Sequence, residues 1–461
     1  MSWVNEEFES INVGDQRLNK RFIDIVESLG LAPGRTIPQS FKTWGEIKAC
    51  YNFTNNSLVN EDKLLAPHIE KTMERINEYP VVLLLSDTTD INYTTKAAMS
   101  GKDRLTNQQT GIWLHPTIAV TPERLNLGIV DANFWHRESE VSSKKPGAGA
   151  IREKRPIEEK ESYRWLKSYL KASEIARMAP KTQIINITDR EGDMIEIFEA
   201  AKEEKLGSAN FIIRSKYDRC LEEKNEEKII QKKLRQKLKE SESIGEIEFV
   251  ISPTEKRQGR KVKQQIKAVN VTLKPTNKYK KEKKVKVNAV MAIEENPPKG
   301  EVALTWIFIT DLSINSFEDV CKIIKYYLCR WEIELFFKIL KSGCKIEERQ
   351  LQTTDRMKNL ISIFMMLAWR VQFTMMLGRV NSEMQASEIF EEAEWKSVYK
   401  IANTKKRLPR KSPTLGELII LIAELGGYVH QKNAEPPGVK TMWKGMARMV
   451  DFAIAWEAFG K

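Results

Sequence analysis

The chain has 461 residues, 41% of them hydrophobic, and its 75 basic side chains outnumber 63 acidic ones to give a net charge of +12. This composition excludes a disordered chain, and the basic excess favours a polyanionic partner, with nucleic acid as the first candidate and an anionic membrane surface as the alternative. Five scattered cysteines without a CxxC pair and only four histidines argue against a disulfide framework and a zinc site. Because no apolar run looks long enough to span a membrane and the opening residues are polar, we expect a protein of the reducing cytoplasm.

The first 65 residues are predicted to form a helical domain. Apolar residues recur at helical spacing from Gly14 to Leu29, a break follows at Leu31–Gly34, and a second helix is predicted from Trp44 to Phe53. Two interpretations stay open, a domain that docks on DNA and an ordinary helical cap. The basic residues that favour docking are Arg17, Lys20, Arg21, Arg35, Lys42 and Lys48.

An α/β pattern begins near residue 80. Three strands come first, and a helix, a strand, a helix and a strand follow. This order is typical of the ribonuclease-H-like fold, and we predict such an α/β core over residues 66–375. The predicted elements are Pro80–Ser86, Trp113–Val120, Leu125–Asp131, the helix from Glu158 to Arg177, Thr182–Thr188, the helix from Met194 to Glu204, and Asn210–Ser215.

A basic, β-rich insertion is predicted over about residues 216–300. Between Lys256 and Lys286 the chain carries 13 Lys or Arg residues and one acid, Glu282. Val269–Leu273 and Val285–Ile293 alternate as strands do, and a further strand, Leu304–Ile309, carries Trp306. A lysine-rich hairpin also protects a sheet edge from aggregation, but this excess of cations favours contact with a phosphate backbone.

The remainder is predicted to be helical. The apolar, Met-rich run from Leu360 to Met376 is interpreted as core. Amphipathic helices are predicted at Leu415–Leu425 and from Trp443 to Phe459. We therefore predict a helical carboxy-terminal domain over residues 376–461 that mediates dimerisation.

The segment from Tyr327 to Lys341 carries the most informative pattern. Its polar side chains are spaced by 3, 4, 4 and 3 residues, which places them on one face if the segment is a single helix. A carboxylate among cations suits metal-dependent phosphoryl transfer, because the metal needs oxygen ligands and the phosphates need positive groups. A solvated, ion-paired face has the same pattern, so both interpretations stay open. The polar residues are Tyr327, Arg330, Glu334, Lys338 and Lys341.

Two aspartates follow predicted buried strands, where α/β proteins usually place their chemistry. Asp87 ends the first strand and Asp189 ends the strand Thr182–Thr188. Each alone is more simply a turn former or helix cap, but with Glu334 they form a carboxylate set able to hold two Mg²⁺ ions about 3.5–4 Å apart. The competing carboxylates that the sequence leaves open are Asp90, Glu191, Asp193 and Glu332.

These motifs resemble those of bacterial cut-and-paste DDE transposases of the insertion-sequence-four family. The resemblance rests on Asp87-Thr-Thr, on Thr188-Asp-Arg-Glu-Gly-Asp193, and on the spacing Tyr-x-x-Arg-x-x-x-Glu-x-x-x-x-x-x-Lys from Tyr327 to Lys341. Asn296-Pro-Pro-Lys-Gly-Glu301 also resembles the family sequence. The similarity runs in order over nearly the whole chain.

The resemblance implies a catalytic, metal-binding triad of Asp87, Asp189 and Glu334 that uses two Mg²⁺ ions, with Mn²⁺ as a substitute. It implies binding of transposon-end and target DNA by a homodimer in a synaptic complex, cleavage through a hairpin, and strand transfer, in a bacterial cytoplasm near the nucleoid and without a membrane partner. A nuclease without strand transfer and a non-catalytic DNA-binding inhibitor are the alternatives. The DNA contacts that it implies are Tyr327, Arg330, Lys338, Lys341, Trp306, Arg214 and Arg21.

Overall fold

A computed structural model describes residues 3–31, 33–136, 155–203, 207–224, 229–253, 258–274, 284–431 and 435–459. It confirms a mixed α/β chain. The chain divides into two compact units, which we call the helical unit and the strand unit. The helical unit comprises Met1–Glu78, Thr88–Glu140 and Trp331–Lys461, and the strand unit comprises Tyr79–Asp87 and Val141–Arg330.

The described strands, in chain order, are β1 (Val81–Ser86), β2 (Thr89–Asn92), β3 (Asp103–Arg104), β4 (Thr110–Val120), β5 (Asn126–Trp135), β6 (Gln183–Thr188), β7 (Asn210–Arg214), β8 (Cys220–Lys224), β9 (Ile229–Lys233), β10 (Gly245–Ile251), β11 (Arg260–Leu273), β12 (Val285–Glu294) and β13 (Thr305–Thr310). The described α-helices are α1 (Trp3–Glu7), α2 (Gln16–Leu31), α3 (Ile37–Ser40), α4 (Trp44–Thr54), α5 (Glu61–Ile76), α6 (Tyr163–Met178), α7 (Ile195–Glu203), α8 (Leu234–Glu240), α9 (Phe317–Leu328), α10 (Trp331–Lys338), α11 (Thr354–Val380), α12 (Glu392–Ala402), α13 (Leu415–Leu425) and α14 (Val439–Phe459).

The strand unit is built on three parallel strands, β1, β6 and β7. β1 and β6 are almost completely buried, as their continuous apolar runs predict. α6 packs on both strands, and it buries Trp165 and Tyr169, whose ring lies edge-on to Phe211 of β7. Beyond β7 the sheet continues with the antiparallel strands β13, β12, β11 and β10. The carboxyl ends of these parallel strands therefore lie at one edge of the sheet, and the residues that follow the strands are placed there.

The helical unit packs α5 and α11 against β5, which pairs with β4. Gly128 in β5 permits this approach, because a Cβ there would lie 1.9 Å from Thr72 Oγ1 of α5. Its backbone also has a φ of +150°, which L side chains rarely adopt. At the other end of the unit, α12, α13 and α14 pack on one another and α14 packs on α11.

α11 is the one helix of the described ranges that is long and apolar enough to cross a membrane. Within its most apolar stretch, 89% of the residues are buried inside the protein. The helix therefore serves as the central core helix of the helical unit, which confirms the core interpretation of the Leu360–Met376 run and corrects the expectation that no run has spanning length.

The prediction of one continuous helix from Tyr327 to Lys341 is wrong. α9 ends at Leu328, where the N–H groups of Cys329 and Arg330 bond the carbonyls of Tyr326 and Tyr327, only three residues back. α10 then begins at Trp331, and a π-turn replaces the α-helix after Lys338. Each of these changes interrupts the continuous α-helical hydrogen bonding from which the single polar face was predicted.

The positive charge of the basic insertion is partly neutralised in the structure by carboxylates that the sequence count did not include. Cations of β11 pair across the sheet with carboxylates of the neighbouring strand β10, which lies before the counted segment. Lys263 Nζ lies 2.7 Å from Glu246, and Lys261 pairs with Glu248. Residues 254–257 and 275–283, which hold many of the counted cations, lie outside the described residues. The described part of β11 is therefore largely neutralised on its own sheet.

Candidate active site

Asp87 and Asp189 occupy equivalent positions on neighbouring strands. The register of β1 and β6 pairs Val81 with Gln183 and Leu85 with Ile187, a constant offset of 102 residues. The same offset relates Asp87 to Asp189, so each aspartate lies two residues past a paired position at the carboxyl edge of the sheet. Neighbouring parallel strands are about 4.8 Å apart, which brings two acidic side chains to the same edge.

Arg330 pairs with Asp87. Its Nη1 lies 3.1 Å from Asp87 Oδ2, and the two side chains are only 11% and 22% exposed. Low exposure makes this pair stronger than a surface ion pair, because little water screens it. The first of the two strand-end carboxylates is therefore held by a cation.

Tyr327 lies next to the second aspartate. Burial raises the pKa of Tyr327, the nearby charges of Arg330 and Arg214 act to lower it, and Asp189 acts to raise it. The ring packs on Phe308 of β13, with centroids 4.5 Å apart. Across the ranges that the structure describes, the buried atoms Tyr327 Oη and Arg214 Nε make no hydrogen bond of full geometry, while the Arg214 side chain lies close enough to Tyr327 for a hydrogen bond to act to lower the Tyr327 pKa. Polar groups of this kind beside two carboxylates suit an oxygen-rich ligand such as phosphate.

A short turn orients Asp189. Its Oδ1 accepts the Glu191 backbone N–H at 2.7 Å, which caps the turn Arg190–Gly192. Glu191 is held in turn by Arg164 of α6, whose Nη2 lies 2.7 Å from Glu191 Oε2. Arg164 was not predicted from the sequence, where only its position at the start of α6 distinguishes it from other arginines, whereas in the structure its side chain is largely buried.

Each of the four competing carboxylates forms an ion pair with a cationic side chain. Glu332 is buried in the helical unit against Arg124 and Gln372, and Asp193 is buried against Arg219. Asp193 also accepts two backbone N–H groups from the loop that follows β7. These contacts give both acids a structural role. The other two competitors are Glu191, which pairs with Arg164, and Asp90, which pairs with Lys341.

The remaining residues of the signature segment belong to the helical unit. Glu334 is half-buried on α10, and Lys338 is exposed at the end of that helix. Lys341 Nζ lies 3.2 Å from Asp90 and 3.9 Å from Glu347. The structure thus brings together Asp87, Asp189, Arg214, Tyr327 and Arg330 in one unit and carries Glu334, Lys338 and Lys341 in the other.

The last two predicted DNA contacts are Trp306 in the strand unit and Arg21 in the helical unit. Trp306 of β13 is half-buried, and one face of its ring stacks on Phe249 of β10 at a centroid distance of 5.5 Å. Arg21 is half-buried on α2. It lines a cavity of about 2120 Å³ within the helical unit, between the amino-terminal helices and α14.

The two aspartates fit a hard divalent cation in their chemistry. Both offer carboxylate oxygens at one sheet edge, which is the donor type that Mg²⁺ and Mn²⁺ prefer. Within the described ranges, no three His, Cys, Asp or Glu side chains form a ready-made metal site. The strand unit by itself therefore offers two carboxylates at one edge of its sheet.

Three family models match the chain. The transposase DNA-binding model matches residues 1–59, the transposase DDE domain model matches 208–369, and the transposase Tn5 dimerisation model matches 366–457. Together the three models support a Tn5-like DDE transposase. This confirms the predicted family resemblance, and the matched domains identify a nucleic-acid-processing enzyme with DNA as a partner and a homodimeric assembly.

A solved structure titled as a cryo-EM structure of the piggyBac transposase synaptic complex with hairpin DNA also matches this Tn5-like chain. The match covers 94% of this chain and 82% of that one, with 8% sequence identity and a TM-score of 0.37. A TM-score this low leaves the family models as the basis of the assignment.

Proposed function

We propose that the chain cleaves the ends of a DNA transposon and joins them to target DNA, using Asp87, Asp189 and Glu334 as metal-binding, catalytic residues. The observation that carries this proposal is the shared register of Asp87 and Asp189, because it turns two separate strand-end acids into one pair. Glu334 completes the set by its place in the family signature. Two bound Mg²⁺ ions, or Mn²⁺ in their place, would activate water and stabilise the leaving oxygen.

The chain's own side chains hold the DNA in this proposal. Arg330 and Arg214 bind phosphates, because a guanidinium fork matches two phosphate oxygens and its charge offsets the negative charge of the transition state. Tyr327 Oη donates to the same backbone. Lys338 and Lys341 contact phosphates further along the strand.

A hairpin intermediate is part of the proposal. The free 3′-OH of the first cut attacks the opposite strand, a second water opens the hairpin, and the new 3′-OH attacks the target DNA. Trp306 would stack on a base displaced during hairpin formation, using the ring face that Phe249 does not cover. Each reaction is an in-line displacement at phosphorus, so one site serves them all.

The domain assignment follows the same proposal. Residues 1–65, including Arg21, recognise the transposon end, residues 66–375 form a ribonuclease-H-like catalytic domain with an insertion at about 216–300, and residues 376–461 hold the homodimer in a synaptic complex. The matches to DNA-binding and dimerisation models over 1–59 and 366–457 support the two outer assignments. We place the enzyme in the bacterial cytoplasm, at the nucleoid.

The test uses full-length protein, Mg²⁺ and duplexes that carry the terminal repeats flanking its gene, followed by mapping of cleaved, hairpin and joined products. Asp87→Asn and Asp189→Asn should abolish all three products while DNA binding persists. Asp90→Asn is the matched control, since it removes a competing carboxylate that lies within β2 and pairs with Lys341. Cleavage without joining of pre-cleaved ends would identify a nuclease instead, and activity in Asp87→Asn would overturn the assignment of the triad.

A further inference from the structure

The ion pair between Arg330 and Asp87 conflicts with the metal binding that the proposed site requires of Asp87. Asp87 has to offer its oxygens to a divalent cation, yet Oδ2 already receives Arg330 Nη1 at 3.1 Å. A metal ion and a guanidinium repel each other at contact distance, and the low exposure of both side chains leaves little water to screen that repulsion. Metal binding at Asp87 therefore competes with Arg330.

A DNA phosphate would be a second binding partner for Arg330. Arg330 and Arg214 both lie near Tyr327, because the charge of each acts to lower the Tyr327 pKa. Tyr327 Oη and Arg214 Nε are buried and make no hydrogen bond of full geometry within the described ranges, although a hydrogen bond from the Arg214 side chain also acts to lower the Tyr327 pKa. A phosphate close to these groups would accept hydrogen bonds from both guanidinium groups and would therefore attract Arg330.

We propose that Arg330 couples DNA binding to metal loading: it occupies Asp87 until a DNA phosphate recruits it, and Asp87 then becomes available to the metal ion. This inference rests on the proposed function, because it takes Asp87 to be a metal ligand. Arg330 is thereby a positioning residue for Asp87 as well as a phosphate contact. The consequence is an enzyme that binds its metal tightly when DNA is bound and only weakly in the absence of DNA.

The experiment measures Mn²⁺ affinity directly, by the loss of the free-ion EPR signal, on full-length protein with and without a terminal-repeat duplex. Wild type should bind Mn²⁺ about tenfold more tightly with DNA, the range expected for a coupling of this kind. Arg330→Gln should bind Mn²⁺ about as tightly without DNA as wild type does with it. Arg330→Lys, which keeps the charge but lacks the fork, should retain part of the coupling and also serves if the glutamine variant folds poorly.

Lys322→Gln is the matched control, because it removes one positive charge from α9 at an exposed position that pairs with Asp319. It should leave Mn²⁺ affinity unchanged. Equal or weaker DNA-free Mn²⁺ binding by Arg330→Gln would overturn the coupling. Asp87→Asn separates the two proposals: if it keeps Mn²⁺ binding and cleavage, the proposed triad is wrong, whereas a loss of both together with an unchanged Arg330→Gln affinity refutes only the coupling.

Discussion

Replacing Glu7 by Gln should destabilise the helical unit, because Glu7 joins α1 to α5 through a buried ion pair. Arg75 donates to both carboxylate oxygens, at 2.8 and 2.9 Å, and His68 Nδ1 lies 2.5 Å from Oε1. His68 Nε2 accepts the Ile129 N–H at 2.9 Å, so this imidazole is the neutral Nδ1–H tautomer. Burial also lowers the pKa of His68. Arg75 therefore supplies the charge and His68 a hydrogen bond.

The expected magnitude follows from the Glu7 carboxyl. Burial alone would raise its pKa, but His68 and Arg75 outweigh that effect and lower the pKa from 4.5 to about 2. At about 1.4 kcal/mol for each tenfold change in proton affinity, the full shift corresponds to about 3.5 kcal/mol. Part of that shift comes from a charge on His68, which the neutral tautomer lacks, so about 3 kcal/mol is the upper bound for Glu7→Gln, close to the cost of breaking a buried pair. Because the folded-state pKa is depressed, this stability is present above about pH 4.5 and is lost as the pH falls towards 2.

Hydrogen exchange detected by mass spectrometry suits this test, since a chain with two units does not unfold in one step. At pH 7 the amides of α1 and β5 should exchange about 100-fold faster in Glu7→Gln than in wild type, and acid unfolding of the two proteins should converge as the pH falls towards 2. Asp15→Asn is the control, because it removes an exposed carboxylate that pairs with Arg17 on the same domain. Equal protection at pH 7, or a constant difference down to pH 3, would refute the reasoning.

Three further predictions concern other parts of the chain. Burial raises the pKa of Asp311 to about 6, so ionisation of this carboxyl destabilises the folded state. The melting temperature of wild type should therefore fall relative to that of Asp311→Asn as the pH rises from 4 to 6.5, and parallel profiles of the two proteins would contradict this. Arg164→Gln releases Glu191 and should raise the Mg²⁺ concentration for half-maximal cleavage about tenfold, with DNA affinity unchanged. Ile454→Glu places a charge on an apolar side chain of α14 that is 49% exposed and should lower the dimer fraction in analytical ultracentrifugation, whereas Val250→Glu should not.

The strands that carry the aspartates could be predicted because their signal is local. Val81–Ser86 and Gln183–Thr188 are short apolar runs followed at once by an acid, and the structure confirms both strands within one residue of the predicted bounds. Their register could not be predicted, since a parallel pairing is set by packing across the sheet and by the intervening helix. The sequence predicts two strand-end acids, and only the fold shows that they follow equivalent positions of neighbouring strands.

The polar stripe shows where periodicity is insufficient. Spacings of 3 and 4 residues describe one face only if the hydrogen bonding stays α-helical throughout. Between Tyr327 and Arg330 the bonds shorten to three residues, and after Lys338 they lengthen to a π-turn. The chain nevertheless gains from the break, because Arg330 leaves the helix and reaches Asp87. The spacing therefore assumed a continuous helix that the structure does not have, and the functional roles of these residues stay predictions.

Residue counts failed on the basic segment for a related reason. A window along the sequence includes Lys261 and Lys263 but omits Glu246 and Glu248, which pair with them diagonally from the neighbouring strand β10. Cross-strand pairs of opposite charge stabilise a sheet, so these lysines serve the fold before they serve any ligand. Local charge excess predicts a nucleic-acid surface only after the pairing of strands is known.

The charges at the strand ends explain why metal and DNA should depend on each other. Asp87 and Asp189 carry two negative charges, and Arg214 and Arg330 carry two positive ones, so these four groups are formally neutral together. A divalent cation bound alone makes this cluster strongly positive, and a phosphate bound alone leaves the aspartates repelling it. Bound together they offset each other, and by linkage each must raise the affinity of the other by the same factor. A measured Mn²⁺ effect on DNA affinity that differed from the DNA effect on Mn²⁺ affinity would therefore mean that the metal acts at a further site.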